Sequence, residues 1–332
     1  MVRNTTYGNL DASGAAERMN KYGRRQEPFL FVVDFLQEHP VVLTPEEANE
    51  CGLLFDFNGT TNAPANSGSP PAPFFRKYPP DLDRYTRAFN DVQQNIRNGN
   101  TYLLNLTLPT RIETSLSLHQ IFHYSKAKYK LLFPDRFVVF SPETFVQIAG
   151  ETIRSFPMKG TIDAAVENAE KVLLTDPKEI AEHTTIVDLI RNDLSTVAKR
   201  VHVEQFCRLD LVRTNQKDLI QMSSVIAGTV PPDWRGAIGS LLFELLPAGS
   251  VTGAPKRKTV EIILETEAYE RGYYTGICGF FDGKSLDSGV MIRYIENING
   301  ELYYKSGGGI TASSELKKEY RELIDKVYVP LI

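Results

Sequence analysis

YYTGICGFFDG (273–283) and GVMIRYIENINGELYYKSGGG (289–309) decide the fold class. Both are rich in aromatic and β-branched residues. They end or turn at Asp282-Gly283 and Asn299-Gly300, which suit tight connections between antiparallel strands. Working outward, residues 128–162 (KYKLLFPDRFVVFSPETFVQIAGETIRSFPMKGTI) read as further short strands. TYLLNLTLPTRIE (101–113), VHVEQFCRLD (201–210), PFLFVVDF (28–35) and CGLLFDFNG (51–59) read the same way. Helical spacing appears at Leu82, Tyr85, Phe89, Val92 and Ile96, with Gly99 as a stop. It recurs over 176–198, 234–246, 259–272 and 314–328. Strands and helices come in clumps, not in strict alternation. That pattern predicts an α+β fold with largely antiparallel sheets.

Composition narrows the class. The chain has 332 residues, 42% of them hydrophobic, and a formal charge of −4. It can bury a sizeable core, so it is not of the disordered class. A mildly acidic balance without a basic block argues against a nucleic-acid partner. Cys51, Cys207 and Cys278 lie far apart with no CxxC, which suggests neither a disulfide framework nor a zinc site. The first 25 residues are polar and hold no apolar run of signal-peptide length. No stretch approaches the ~18 apolar residues of a membrane span, so a cytoplasmic, membrane-free protein is expected. NAPANSGSPPAPFFRKYPP (62–80) carries six of the 19 prolines and reads as a loop. It divides a short N-terminal segment (1–80) from a body (81–332).

Several residues can carry chemistry. Glu179 and Glu182 stand three apart on one predicted helix, Glu319 and Glu322 three apart on the last, with Lys326 four further on. Residues at that spacing share a helix face. If the two helices face one pocket, four carboxylates form an oxygen site suited to Mg²⁺; such pairs are also common on solvated faces. Gly307-Gly308-Gly309 either lets backbone amides approach an anion or forms a flexible turn. GSVTGAPK (249–256) is not a phosphate-binding Walker loop, because Ala254 and Pro255 separate Gly253 from Lys256. Lys159 in FPMKGT is either a surface charge or, in a dry pocket that lowers its pKa, a nucleophile. Arg293 lies among apolar neighbours and wants an anionic partner, a structural one or a ligand carboxylate. The five histidines show no metal-ligand spacing, and His183 is placed to orient Glu182.

Together these segments resemble the chorismate-utilising enzymes, the family of anthranilate synthase component I, aminodeoxychorismate synthase component I, isochorismate synthase and salicylate synthase. The matching stretches are SPETF (141–145), PMKGT (157–161), DPKEIAEHTTIVDLIRNDL (176–194), LLPAGSVTGAPK (245–256), YYTGICGFFD (273–282), IRY (292–294), SGGGITASS (306–314) and EYRELIDK (319–326). They follow the family order over residues 80–328. The resemblance implies two packed antiparallel sheets with helices outside and a site between them. It implies Mg²⁺ held through Glu179, Glu182, Glu319 and Glu322, some through water, on which the ring carboxylate of chorismate rests. It implies an enolpyruvyl carboxylate met by Tyr274, Arg293 and the amides of Gly307 and Gly309. Gly160, Thr161, Thr252 and Lys326 match further substrate-binding positions. A substrate with two carboxylates needs two separate anion sites, which agrees with this assignment.

Lys159 discriminates within the family. Anthranilate synthases usually read PIAGT here, whereas the aminodeoxychorismate branch often carries Lys, as in PMKGT. In that branch the Lys attacks C2 of chorismate as the C4 hydroxyl leaves, and ammonia then enters at C4. The glutamate of SPE, Glu143, is the matching general acid and later base. Water-adding members carry a Lys where this chain has Leu103, which cannot act as a base. Gln221 stands where ring-aromatising members commonly carry His, and Gln cannot shuttle a proton. The resemblance therefore implies aminodeoxychorismate synthase component I, on the route to 4-aminobenzoate and folate. Ammonia is expected from a separate glutamine amidotransferase subunit, and pyruvate release from a separate aminodeoxychorismate lyase. The alternatives are anthranilate synthase component I and a catalytically silent chorismate-binding subunit.

Overall fold

The computed structural model describes residues 10–65, 68, 73–213 and 218–331. The first nine residues and part of the Pro-rich stretch read as a loop (66, 67 and 69–72) lie outside the described residues. Two nine-stranded sheets form the body. The first runs Met158–Asp163, Asp218–Thr229, Thr152–Ser155, Thr144–Ala149, Leu286–Val290, Ile277–Phe281, Phe29–Val33, Val41–Leu43, with Lys199–Arg213 also paired to Asp218–Thr229. The second runs Gly253–Ala254, Leu103–Thr114, Glu301–Ile310, Tyr294–Ile298, Phe137–Ser141, Tyr129–Phe133, Leu54–Phe57, Thr60–Thr61, with Phe75–Tyr78 on Leu103–Thr114. Every strand pairing among the described residues is antiparallel. Residues 29–78 supply strands to both sheets, and Phe75–Tyr78 arises within the stretch read as a loop.

Strand periodicity explains the layering. Along Phe29–Val33 alternate side chains point to opposite faces. Leu30 and Val32 enter the layer between the sheets with Phe55, Phe133 and Tyr294. Phe29, Phe31 and Val33 enter a second core under the helices Ala12–Arg25, Pro177–Val197 and Ile238–Glu244. A third core lies on the far face of the second sheet, under Leu82–Arg97, Lys256–Glu267 and Leu316–Asp325. The strand is thus buried on both faces, which is why it reads as a continuous apolar run. Helix Ala12–Arg25 falls in the polar start and was not expected from spacing. Asp11 caps it, and Ala15 and Met19 are its buried stripe. Helix 259–272 is also shifted: it spans Lys256–Glu267.

Two crossovers position the site. Ser141–Thr144 carries the chain from the second sheet to the first, and Val290–Tyr294 carries it back. The two segments hydrogen-bond to each other, Phe140 N–H to Arg293 C=O at 3.1 Å and Val290 N–H to Glu143 C=O at 3.0 Å. Glu143 and Arg293 are therefore neighbours by topology.

Candidate active site

The four glutamates come from two helices that do face one another. Glu179 and Glu182 lie in the first turns of Pro177–Val197, and Glu319 and Glu322 on Leu316–Asp325. Between them runs the glycine triplet, which is neither a turn nor a loop but the end of strand Glu301–Ile310. A Cβ on Gly308 would stand 3.3 Å from Glu322 Oε1 and 3.4 Å from Glu319 Oε2. A Cβ on Gly309 would stand 4.0 Å from Lys159 Nζ and 3.1 Å from Leu103 Cδ1. Glycine is required here for close approach rather than for backbone freedom.

The triplet also presents backbone groups. Gly307 pairs with Thr107 and Gly309 with Asn105 on one edge. Pro109, which has no N–H, stands opposite Lys305 in that ladder, so Lys305, Gly307 and Gly309 turn their polar groups to the other edge. Strand Tyr294–Ile298 covers this edge only as far as Lys305. Lys326 Nζ takes the Gly307 carbonyl at 2.7 Å, while its ammonium also pairs with Glu322 at 2.6 Å.

Lys159 enters from the edge strand Met158–Asp163. The register slips between Met158 and Thr161, and Gly160 has φ +90° inside this bulge. A Cβ on Gly160 would meet Glu179 Oε2 at 3.0 Å. The bulge aims Lys159 into the cluster, where its Nζ pairs with Glu182 Oε2 at 2.9 Å. Lys178 lies 3.7 Å from the other Glu182 oxygen. Burial works against the Lys159 ammonium, but Glu182, with Glu322 and Glu319 behind it, more than offsets this. Its pKa is raised, opposite to the depressed value expected of a dry nucleophilic lysine. Burial and the Glu182 charge raise Glu179; burial and Glu322 raise Glu319, against a hydrogen bond from Ser314. Burial would raise Glu322 as well, but Lys326 holds it below the ordinary range.

These donors fit a hard divalent cation. They are carboxylate oxygens, and two of the acids are pushed up by burial and by a like-charged neighbour, a repulsion that a cation relieves. The described residues hold no group of three or more acidic, histidine or cysteine side chains gathered as a ready-made cage.

A second half-site lies at the crossovers. Arg293 adopts φ +53° and stacks over Tyr328, its guanidinium carbon 5.4 Å from the ring centre. Among the described residues it forms no ion pair with a carboxylate; Tyr274, Tyr304 and Tyr328 surround it. The expectation of an anionic partner is thus left to a ligand. Tyr274 is buried, and its phenol is pushed up by burial and by Glu267 and Glu143 against Arg271 and Arg293. Glu143 accepts a hydrogen bond from Ser250 Oγ at 2.5 Å. Burial raises its pKa, while Ser250, Lys326 and Arg293 oppose that.

Other expected residues sit differently. Thr252 is fully buried, and its hydroxyl donates to Ala248 C=O at 2.8 Å, so it holds a turn. Thr161 is exposed and stands opposite Gln221 across the strand pair. His183 does not orient Glu182. Its side chain leaves the other way, with Nε2 2.7 Å from Ser224 Oγ, because the adjacent helix position faces the strand and not the cluster. Ser250 and the buried pair Glu267–Arg271 were missed by sequence reasoning. Ser250 lies within a quoted motif, and Glu267 and Arg271 stand at helical i,i+4 spacing, the one signal that could have paired them.

The described residues contain no helix long and apolar enough to cross a membrane. A family model described as chorismate binding enzyme matches residues 32–331. An uncharacterized PabA-like protein of Pasteurella multocida is 49% identical over 316 residues, 95% of this chain and 98% of that protein. Aminodeoxychorismate synthase component 1 of Bacillus subtilis is 31% identical over 282 residues, 80% of this chain and 57% of that protein. Among solved structures, the menaquinone-specific isochorismate synthase of Escherichia coli superposes with a TM-score of 0.72 at 15% identity, covering 95% of this chain and 81% of that one. Anthranilate synthase component I of Streptococcus pneumoniae superposes at 0.64 with 24% identity, covering 89% and 70%.

Proposed function

Because this chain belongs to the chorismate-binding enzyme family, we propose that it is an aminodeoxychorismate synthase component I, which aminates chorismate at C4 with ammonia. The observation that carries this reading is Lys159, aimed by a bulge into the carboxylate cluster and 2.9 Å from Glu182. Glu179, Glu182, Glu319 and Glu322 would hold Mg²⁺, which when bound neutralises the ring carboxylate and draws it to the cluster. Arg293, Tyr274 and the open amides of Gly307 and Gly309 receive the second carboxylate. Leu103, packed against Gly309, leaves no base there to activate water.

The chemistry follows from the residues present. Lys159 attacks only as a free amine, so its proton first leaves to solvent, which reaches its 28% exposed side chain. The Nζ–C2 bond forms, the ring double bond shifts, and the C4–O bond breaks. Glu143, whose pKa burial raises, supplies the proton that lets the hydroxyl leave as water. Ammonia then bonds to C4, the double bond shifts back, and the Nζ–C2 bond breaks to return Lys159. Gln221 beside Thr161 offers no base for aromatisation. Ammonia comes from a glutamine amidotransferase subunit, and a separate lyase converts the product to 4-aminobenzoate for folate synthesis.

The test is product identification by mass spectrometry after incubation with chorismate, Mg²⁺ and an ammonium salt, with aminodeoxychorismate lyase added to half the sample. 4-Aminobenzoate formed only with the lyase is the expected result. Anthranilate formed without it overturns the reading. Chorismate binding without turnover, even with an amidotransferase partner present, would make the chain a silent subunit.

A further inference from the structure

The Glu143 carboxyl group has one hydrogen-bond partner among the described residues, the Ser250 hydroxyl on Oε1. Ser250 sits in the short turn Gly249–Val251, and that turn is clamped on every side. Thr252 Oγ1 closes it onto Ala248 C=O at 2.8 Å, and Arg271 holds the Val251 carbonyl at 2.9 Å. Lys256 ties Leu245 C=O at 2.8 Å to Asp193 at 3.0 Å. Asp193 presses on the turn so closely that a Cβ on Gly249 would stand 2.5 Å from its Oδ2. Behind Glu143 and Ser250 lies a cavity of about 20 Å³, mostly apolar, room for a single water-sized molecule. The turn's backbone is thus held in place, and it presents the Ser250 hydroxyl to Glu143.

A carboxyl whose Oε1 is engaged as an acceptor carries its proton on Oε2. We propose that Ser250 is a positioning residue for Glu143: it holds Oε1 so that the acid proton sits on Oε2 and is delivered from there to the departing C4 hydroxyl. The inference rests on the amination reading above. In the step, the Oε2–H bond breaks, the proton joins the leaving oxygen, and water departs. The carboxylate left behind keeps the Ser250 hydrogen bond, which strengthens as its acceptor becomes charged. Lys326 and Arg293 face the same carboxylate from the last helix and the return crossover, Tyr274 from the loop before Ile277–Phe281, and Asp193 across the cavity.

The test compares wild type, Ser250→Ala and Ser250→Thr with chorismate, Mg²⁺ and an ammonium salt, coupled to the lyase and read across pH. Ser250→Ala is expected to lower kcat about 10- to 100-fold, the range for losing one hydrogen bond to a charged group. KM and calorimetric chorismate affinity stay within about twofold, because Ser250 touches Glu143 and not the carboxylate sites. The limb of the pH profile governed by Glu143 moves to higher pH, since the lost donor favoured the ionised form. Ser250→Thr, which keeps a hydroxyl, restores most of kcat. An active wild type with an unmoved limb and unchanged kcat in Ser250→Ala overturns this inference and leaves the amination reading standing. So does a Ser250→Thr variant as impaired as Ser250→Ala, which would mark a packing role. A wild type that makes no 4-aminobenzoate with the lyase overturns the amination reading itself.

Discussion

Arg271 is the side chain whose loss the structure prices most clearly. It is 3% exposed and Glu267 1% exposed. Its guanidinium grips Glu267 through Nε at 2.8 Å and Nη2 at 2.6 Å, and reaches Val251 C=O at 2.9 Å, Asn105 C=O at 2.6 Å and Thr275 Oγ1 at 3.2 Å. Glu267 also accepts from Thr107 N–H at 2.7 Å and Thr107 Oγ1 at 2.9 Å. Arg271→Met leaves a buried carboxylate without its cation, which costs about 3–5 kcal/mol. That is about a fifth or more of a typical stability of about 5–15 kcal/mol. Replacing both partners, as in Glu267→Leu with Arg271→Met, removes the uncompensated charge, and such swaps are often neutral. Here the swap is not neutral. Thr107 N–H loses its acceptor and two carbonyls lose their donor, each orphan costing about 1–3 kcal/mol. Urea unfolding of wild type, both single variants and the double variant measures this, with the slope checked for constancy. The double variant is expected at least about 3 kcal/mol below wild type, the sum of three orphans at the low end. If it unfolds within about 1 kcal/mol of wild type, below the cost of even one strong orphan, the pair is an isolated salt bridge and the reasoning fails.

On the proposed reading Arg293→Met removes the guanidinium that receives the second carboxylate, so kcat/KM for chorismate falls about 10- to 100-fold, consistent with losing hydrogen bonds to a charged group; calorimetry with chorismate checks the ground-state share. Gly308→Ala puts a methyl 3.3 Å and 3.4 Å from the Glu322 and Glu319 oxygens in ordinary strand backbone. It should weaken the Mg²⁺ requirement curve about tenfold, ~1.4 kcal/mol, with the melting temperature nearly unchanged; an unshifted curve would exclude a metal role for that pair. Burial lowers the His183 pKa, only partly opposed by the Lys159 backbone. The unfolded chain therefore binds the proton first, and stability is lost as pH falls through the usual imidazole value of about 6.5. His183→Gln should flatten the stability slope between neutral and mildly acidic pH, measured by urea midpoints against wild type.

The sequence made the parts of this protein legible more readily than their meeting. Strand and helix periodicity located most elements, because a strand buried on both faces, such as Phe29–Val33, is apolar throughout and an amphipathic helix such as Leu82–Arg97 shows its stripe. Helix Ala12–Arg25 was not legible: only Ala15, Met19 and Gly23 are buried, too little apolar weight to stand out in a polar start. The glutamate pairs were visible as pairs, but spacing on one helix cannot say which other helix it faces. The same limit misassigned His183. Its neighbour Glu182 faces the cluster, and one residue along a helix is a turn of about 100°, which carries His183 to Ser224 instead.

What brings the halves together is the exchange of strands between sheets. A chain that leaves one sheet at Ser141 and another that returns at Arg293 must pass each other at the seam, and their backbones bond there. Along a strand successive side chains alternate between faces, so an acid and a guanidinium on neighbouring strands share a face only in the right register. The crossovers are not bound to a strand register: Arg293 takes φ +53° and Glu143 follows Pro142 out of its strand. Glu143 and Arg293 therefore lie where the chain has left the sheet periodicity. The glycine strand and the two glutamate pairs close the cleft from the other side. The meeting of Glu143 and Arg293 thus rests on the pairing of the two crossovers at the seam, and the stability on the cores of the sheets they leave.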